Sequence, residues 1–285
     1  MEQIIINGIM LGFFYCLLAL GITLVYSILR ILNFAHGQMF MLGGVIIYLL
    51  YSELKMNYFL SLLLVVPVLG ILGVLCDVYL FRRIREQARS GAIAMLLAIG
   101  MAIVLDEFIL LTFGEKDKGV PPVVQGVLDV AGMKLTAERL LVSAMALVLI
   151  LLFMYFVHRT RTGRAMRALA QNREAAYLQG ADINRLAWLG FGIGAALAGV
   201  AGALIAPVFG IAPGLSGSIT LKCFIVMLIG GFGSVGGAIV GSFILGFSES
   251  IGYTFLPGTS TFLFIYLAII LLLIFRPQGI MGEAR

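Results

Sequence analysis

The chain has 285 residues, of which 61% are apolar and 12% charged, and a mean hydropathy of +1.10. Soluble domains carry about 45–50% apolar and about 25% charged residues. A fold with a polar surface all round is therefore excluded, and the outer surface must face lipid. The net charge of +5 comes from basic clusters set between apolar runs, which argues against a nucleic-acid-binding face. Cys16, Cys76 and Cys223 lie inside apolar runs and lack metal-ligand spacing, so neither a disulfide framework nor a metal site is expected. The start, Met1-Glu2-Gln3, lacks the basic region of a cleaved signal peptide, so the first apolar run is expected to stay as a helix.

Charge-free or nearly charge-free runs cover 5–29, 31–52, 56–76, 90–105, 140–157, 186–221, 223–248 and 250–275. Several reach the roughly 18 residues of a transmembrane helix. Three basic clusters separate them: Arg82, Arg83, Arg85 and Arg89; Arg159, Arg161, Arg164, Arg167, Arg173 and Arg185; and Arg276 with Arg285. Lys and Arg concentrate on the cytoplasmic side of membranes, so all three are placed inside. Segment 5–29 then runs inward, 35–52 outward and 59–81 inward to Arg82. Segments 91–113 and 138–158 leave and return, with 114–137, which holds Pro121 and Pro122, as an outer loop. Of the 19 Lys and Arg residues, 13 fall inside, 5 outside, and Lys222 in the membrane.

The run 186–221 would span about 54 Å as one helix, more than the ~30 Å hydrocarbon core. Pro207 and Pro213 break it. Segment 186–206 exits. Segments 218–231 and 236–253, turning at Gly230–Gly237, form two short arms read as a re-entrant or broken pair, and 259–275 returns to Arg276. The fold class is all-α: one polytopic membrane domain over 1–285, with about eight membrane helices and a cytoplasmic segment at 159–185.

Small residues at four-residue spacing let membrane helices touch closely. Gly190, Gly194, Ala198, Gly202 and Ala206 form one such series. Gly230, Ser234, Ala238, Ser242, Gly246 and Ser250 form another if the helix continues through its glycines, with Gly237 in the same stretch. Packing inside one bundle is favoured over a subunit contact or pore wall. Asp106 and Glu107 read as a helix end reaching outer water. Glu249 lies deeper and needs a partner; Lys222 neutralises it only if folding brings their segments together. His36 reads first as a satisfied structural residue. If the run breaks at Gly37, then Asn33, His36 and Gly37 join Glu249 as candidates for the translocation path or gate.

Segment 159–185 is too long for a simple turn and rich in helix formers up to Gln179, with Gly180 as the stop. Met166, Leu169, Ala170, Ala176 and Tyr177 share one face, interrupted by Arg173. Such a helix can lie on lipid headgroups or dock in a partner's groove.

Glu174-Ala175-Ala176-x-x-x-Gly180 resembles the front of the EAA motif of ABC importer permeases. The motif's usual Ile-x-Leu-Pro continuation is absent, which points to a particular branch. Four further stretches resemble the branched-chain amino-acid (LIV-type) permeases, the shorter of the two in size and motif order. They are Ala19–Tyr26 running into Arg30–Gly37, Gly163–Ala168 running into Arg173–Ala176, Ile229–Ala238, and Arg276-Pro277-Gln278-Gly279-Ile280. The resemblance implies a multi-pass subunit in a bacterial or archaeal inner membrane. Its implied partners are two ABC ATPase subunits, a second, non-identical LIV-type permease and a periplasmic or extracellular substrate-binding protein. Arg164, Arg167, Arg173, Glu174, Ala175, Ala176 and Gly180 would couple it to the ATPases. No Gly-x-x-x-x-Gly-Lys-Ser/Thr loop occurs, so ATP and Mg belong to the partners and this chain carries no cofactor. A zwitterion with a branched tail needs a mostly apolar path. Two other classes compete: an ion-coupled carrier resting on Asp106, Glu107 or Glu249, and an intramembrane enzyme, for which paired catalytic histidines and metal-ligand clusters are lacking.

Overall fold

A computed structural model describes residues 2–87, 91–130, 133–255 and 258–282. Arg89 and Arg285 of the basic clusters lie outside the described residues. Helix α1 (Glu2–Leu29) is followed by α2 (His36–Ile47), which a π-helical turn extends to Glu53. Helix α3 (Tyr58–Cys76) passes through a π-helical turn into α4 (Arg82–Glu86), and α5 (Gly91–Phe113) follows. A two-stranded antiparallel hairpin, β1 (Val127–Val130) and β2 (Met133–Thr136), folds part of the expected outer loop. Then come α6 (Ala137–Arg159), α7 (Arg161–Gln171), α8 (Arg173–Leu178), α9 (Ile183–Phe209), α10 (Leu215–Gly230), α11 (Val235–Phe255) and α12 (Gly258–Phe275).

Among the described residues, six helices are long and apolar enough to cross a bilayer: α1, α3 with α4, α5, α6, α9 and α11. Helices α10 and α12 are apolar but shorter. Segment 236–253 is therefore not a short arm. Its helix runs 21 residues, because the apolar pattern carries on to Phe255. Of the two arms, α10 alone, at 16 residues, is short. Helices α1 and α9 are mostly buried, whereas α3, α5 and α6 expose most of their apolar surface, as lipid-facing helices do.

Contacts between loops sort the ends. Arg30 donates to the Ala170 carbonyl, Arg85 reaches Asn184, and the Ile280 and Met281 amides donate to the Ile229 and Gly230 carbonyls. The described basic clusters thus gather at one end, called here the arginine end. At the other, Lys118 and Ile211 exchange backbone hydrogen bonds at 2.9 Å each way, and Glu138 accepts from the Val123 and Val124 amides.

Close glycine contacts hold the centre. A Cβ at Gly246 would lie 2.6 Å from the Gly12 nitrogen and 2.8 Å from the Gly8 oxygen, so α1 and α11 touch backbone to backbone. On α9, Gly194 meets Gly21 and Val25 of α1, Gly190 meets Ile28, and Gly202 meets the Phe40 carbonyl of α2. The second small-residue series does not form one stripe, because α10 ends at Gly230 and α11 begins at Val235. Gly231 (φ 100°) and Gly233 (φ 78°) take left-handed turn conformations that break the helix. Gly230 and Gly237 face each other across that turn, and Ser234 caps α11 by accepting from the Gly237 amide at 3.0 Å. From Ala238 onward, Ser242, Gly246 and Ser250 are buried as a stripe.

Candidate translocation cavity and coupling platform

Two cavities lie at different levels of α1. The first, of about 280 Å³, is walled by apolar side chains including Phe14, Phe40, Met41, Ile205 and Ile219, and reaches the Gly210–Ala212 loop near Lys118. The second, of about 320 Å³, lies at the arginine end and is lined by Leu24, Ser27, Arg30, Met166, Arg167 and Phe232 among others. Between these levels, residues 17–23 of α1 are all buried.

At the wall of the first cavity stands an ion pair. Lys222 Nζ lies 2.9 Å from Glu249 Oε1 and donates to the Tyr15 hydroxyl at 2.8 Å, while that hydroxyl donates to Glu249 Oε2. The ammonium also sits 5.2 Å from the Tyr15 ring centre and 5.4 Å from that of Phe262. The Glu249 side chain is 2% exposed and that of Lys222 15%, and both line the cavity. Folding thus makes the pairing that the chain order left open, across α10 and α11, with Tyr15 of α1 as third member. Tyr15 carried no sequence signal. Lys222 and Glu249 did: Lys222 is the sole charge between 186 and 248, and Glu249 the sole charge between 223 and 275.

Asn33, His36 and Gly37 lie apart from that wall. The chain leaves α1 at Arg30 (φ 55°) and does not become helical again until His36, so the break precedes Gly37. Asn33 sets it: its Oδ1 accepts from the Ala35 amide at 3.1 Å, an Asx-type turn that competes with helix. His36 is buried, and its Nε2 donates to the Leu18 carbonyl at 3.0 Å. The Gly37 amide donates to Thr220 Oγ1 at 3.0 Å, and a Cβ there would strike that hydroxyl and the Ser216 carbonyl. These three residues pack the start of α2 against α1 and α10. Asp106, expected at a watery helix end, accepts instead from Gln38 Nε2 at 2.9 Å and Ser216 Oγ at 2.7 Å, tying α5 to α2 and α10. Glu107 is exposed.

The segment 159–185 forms two helices where one was expected. Asn172 (φ −146°, ψ 108°) interrupts it, because its side chain caps α8 by accepting from the Ala175 amide at 3.0 Å. Gly163 lets α7 turn back tightly on the Phe156 carbonyl. Met166, Leu169 and Ala176 are buried against the bundle. Tyr177 does not share their face: the break at Asn172 rotates α8, leaving Tyr177 66% and Leu178 84% exposed. Arg164, Arg167, Glu174, Ala175 and Gly180 are exposed too, and Gly180 ends α8 at φ 84°. Arg173 is exposed as well. Desolvation by the neighbouring protein, and then the charge of nearby Arg85, lower its pKa from the ordinary arginine value. Arg85 itself grips the buried Asp77 through two bonds of 2.9 and 3.1 Å and also reaches Asn184, joining α4 to the start of α9.

Long apolar helices gathered round a cavity, with an exposed basic platform at one end, define a multi-pass membrane protein. The chain belongs to the branched-chain amino acid transport system permease family, whose sequence profile, described as "Branched-chain amino acid transport system / permease component", matches residues 4–274. It is similar to the high-affinity branched-chain amino acid transport system permease protein LivH of Salmonella typhimurium, 32% identical over 99% of this chain and 95% of that protein. The corresponding protein BraD of Pseudomonas aeruginosa is 31% identical over 99% of this chain and 95% of its own length. The probable LivH of Methanocaldococcus jannaschii is 28% identical over 99% and 93%. No solved structure matches the chain.

Proposed function

We propose that this chain is the membrane-spanning permease subunit of an ATP-driven ABC importer for branched-chain or related small amino acids. Two ATPase subunits grip α7 and α8 on the cytoplasmic side of the inner membrane, which makes the arginine end the inner one. A second LIV-type permease completes the path, and an external binding protein delivers the cargo. ATP and Mg reside on the ATPases.

The observation that carries this reading is the exposed hook of α8. A membrane protein that leaves Tyr177 and Leu178 open at a polar end, beside Glu174 and ahead of a glycine stop, offers an apolar knob for a groove in another protein. The cavities on either side of the packed 17–23 turn suit alternating access, with one level open while the other is closed. The test is uptake by the reconstituted complex. Glu174→Ala or Gly180→Val is expected to leave ATP hydrolysis running while leucine uptake falls; undiminished uptake in both variants defeats the coupling assignment. The buried Lys222–Glu249 pair favours a second reading, an ion-coupled carrier. Uptake in ATP-depleted vesicles that follows an imposed proton gradient would select it.

A further inference from the structure

We propose that Lys222 and Glu249, with Tyr15, form the head-group subsite for a zwitterionic amino acid in transit. Lys222 receives the cargo's carboxylate and Glu249 its ammonium, while the cavity's apolar wall takes the side chain. This deepens the permease reading and rests on it.

Three observations carry the inference. The first is composition of the wall. Apart from Tyr253, the polar side chains facing this cavity are those of the cluster itself, and the rest are apolar or glycine. A ligand site built this way is greasy, with a few convergent polar groups. Its 280 Å³ lies just below the usual range of ligand cavities, about 300–1,000 Å³, a size that suits a single small solute.

The second is cost. Charges taken out of water into a membrane interior are expensive, and a buried ion pair is a poor stabiliser compared with apolar packing. Helix α11 already meets α1 through Gly12 and Gly246, and α10 through Gly230 and Gly237, so the pair is not needed to join α10 to α11.

The third is complementarity. Lys222 and Glu249 present one positive and one negative group in contact, and a zwitterion presents the same two groups reversed. Binding therefore exchanges one ion pair for two crossed ones without adding net charge to the bundle. Tyr15 makes the exchange workable. Its hydroxyl donates to Glu249 and accepts from Lys222, so it still holds the carboxylate when the ammonium turns to the cargo. The lysine, with the greater exposure of the pair, is the group free to turn.

The test uses the reconstituted complex with binding protein, ATP and labelled leucine. Lys222→Met with Glu249→Gln removes both charges and keeps the volumes. The complex is expected to assemble with a wild-type melting temperature while leucine uptake falls about tenfold or more, the loss of charge-assisted contacts. If the pair were structural, uptake would instead track the melting temperature: each single variant would melt early, and the double variant would melt and transport like wild type. That outcome overturns the inference. Ile219→Trp is the second arm. It fills the cavity while leaving Lys222 and Glu249 in the chain, and wild-type uptake in a folded Ile219→Trp complex would overturn the inference equally. Both failures differ from failure of the permease reading, in which the unmodified complex shows no ATP-driven uptake at all.

Discussion

Asp77 is fully buried at the arginine end of α3, with the Arg85 guanidinium laid across it in a two-bond fork. Removing one member of such a pair strands the other charge, a loss of about 3–5 kcal/mol. Asp77→Asn is therefore expected to lower the melting temperature of the detergent-solubilised protein sharply. Asp77→Asn combined with Arg85→Met should recover most of it, since replacing both charges is far less costly than orphaning one. A glycine pair gives a second contrast. Gly37→Ala drives a methyl into the Ser216 carbonyl and the Thr220 hydroxyl, an overpacking cost of about 1–3 kcal/mol. Gly180→Ala meets nothing within 4 Å and bears only the cost of a left-handed backbone, about 1 kcal/mol. Thermal melts of the two variants should rank Gly37→Ala as the more damaging. At this scale the sequence was partly legible. A lone lysine and a lone glutamate on neighbouring apolar segments marked themselves. Tyr15 did not, because a tyrosine in an apolar run looks like any other until a carboxylate is found against its hydroxyl.

Between residues and bundle lie the elements that could carry motion. Arg30 closes α1, donates to the Ala170 carbonyl near the end of α7, and begins the non-helical link to α2, whose Phe40 and Met41 line the first cavity. A cation on the last carbonyls of a helix is favourable. This one also joins the platform to the cavity wall in a single residue. Because Arg30 is exposed, the bond is worth about 1 kcal/mol. Arg30→Ala is expected to leave complex assembly intact and reduce uptake per ATP hydrolysed by about fivefold, measured on proteoliposomes. An unchanged ratio would remove Arg30 from the coupling route. Some helix bounds here were legible: 91–113, read as a crossing, is the extent of α5, and Gly180 stops α8 as its residue type implied. The breaks at Asn172 and ahead of His36 were not. Both come from an asparagine side chain bonding to nearby backbone, a local competition that apolar periodicity does not register.

Over the whole molecule, the alternation of passages brings every described basic cluster to one end. Orientation can be read chemically, because Arg164 and Lys116 are exposed at opposite ends. In intact cells a membrane-impermeant maleimide should label Lys116→Cys, and label Arg164→Cys only after permeabilisation. The reverse pattern would invert the protein in the bilayer and end the coupling proposal with it. That the described basic clusters share one end followed from where arginines interrupt apolar runs. Which helices sit at the centre did not. Helices α1, α3, α5 and α6 are similarly apolar, yet only α1 is largely buried. The difference lies in Gly8 and Gly12 meeting Gly246, a match between stretches more than 200 residues apart that no local pattern encodes.

That match bears on biogenesis. Helix α1 finds its backbone partner in α11, so during synthesis it must wait in the bilayer while most of the chain is threaded in. Throughout that interval its glycine groove is open to promiscuous pairing with any small-residue helix nearby. Insertion factors that shelter a nascent span, or a slow and ordered release from the translocon, would matter more for this protein than for a bundle assembled from sequential neighbours.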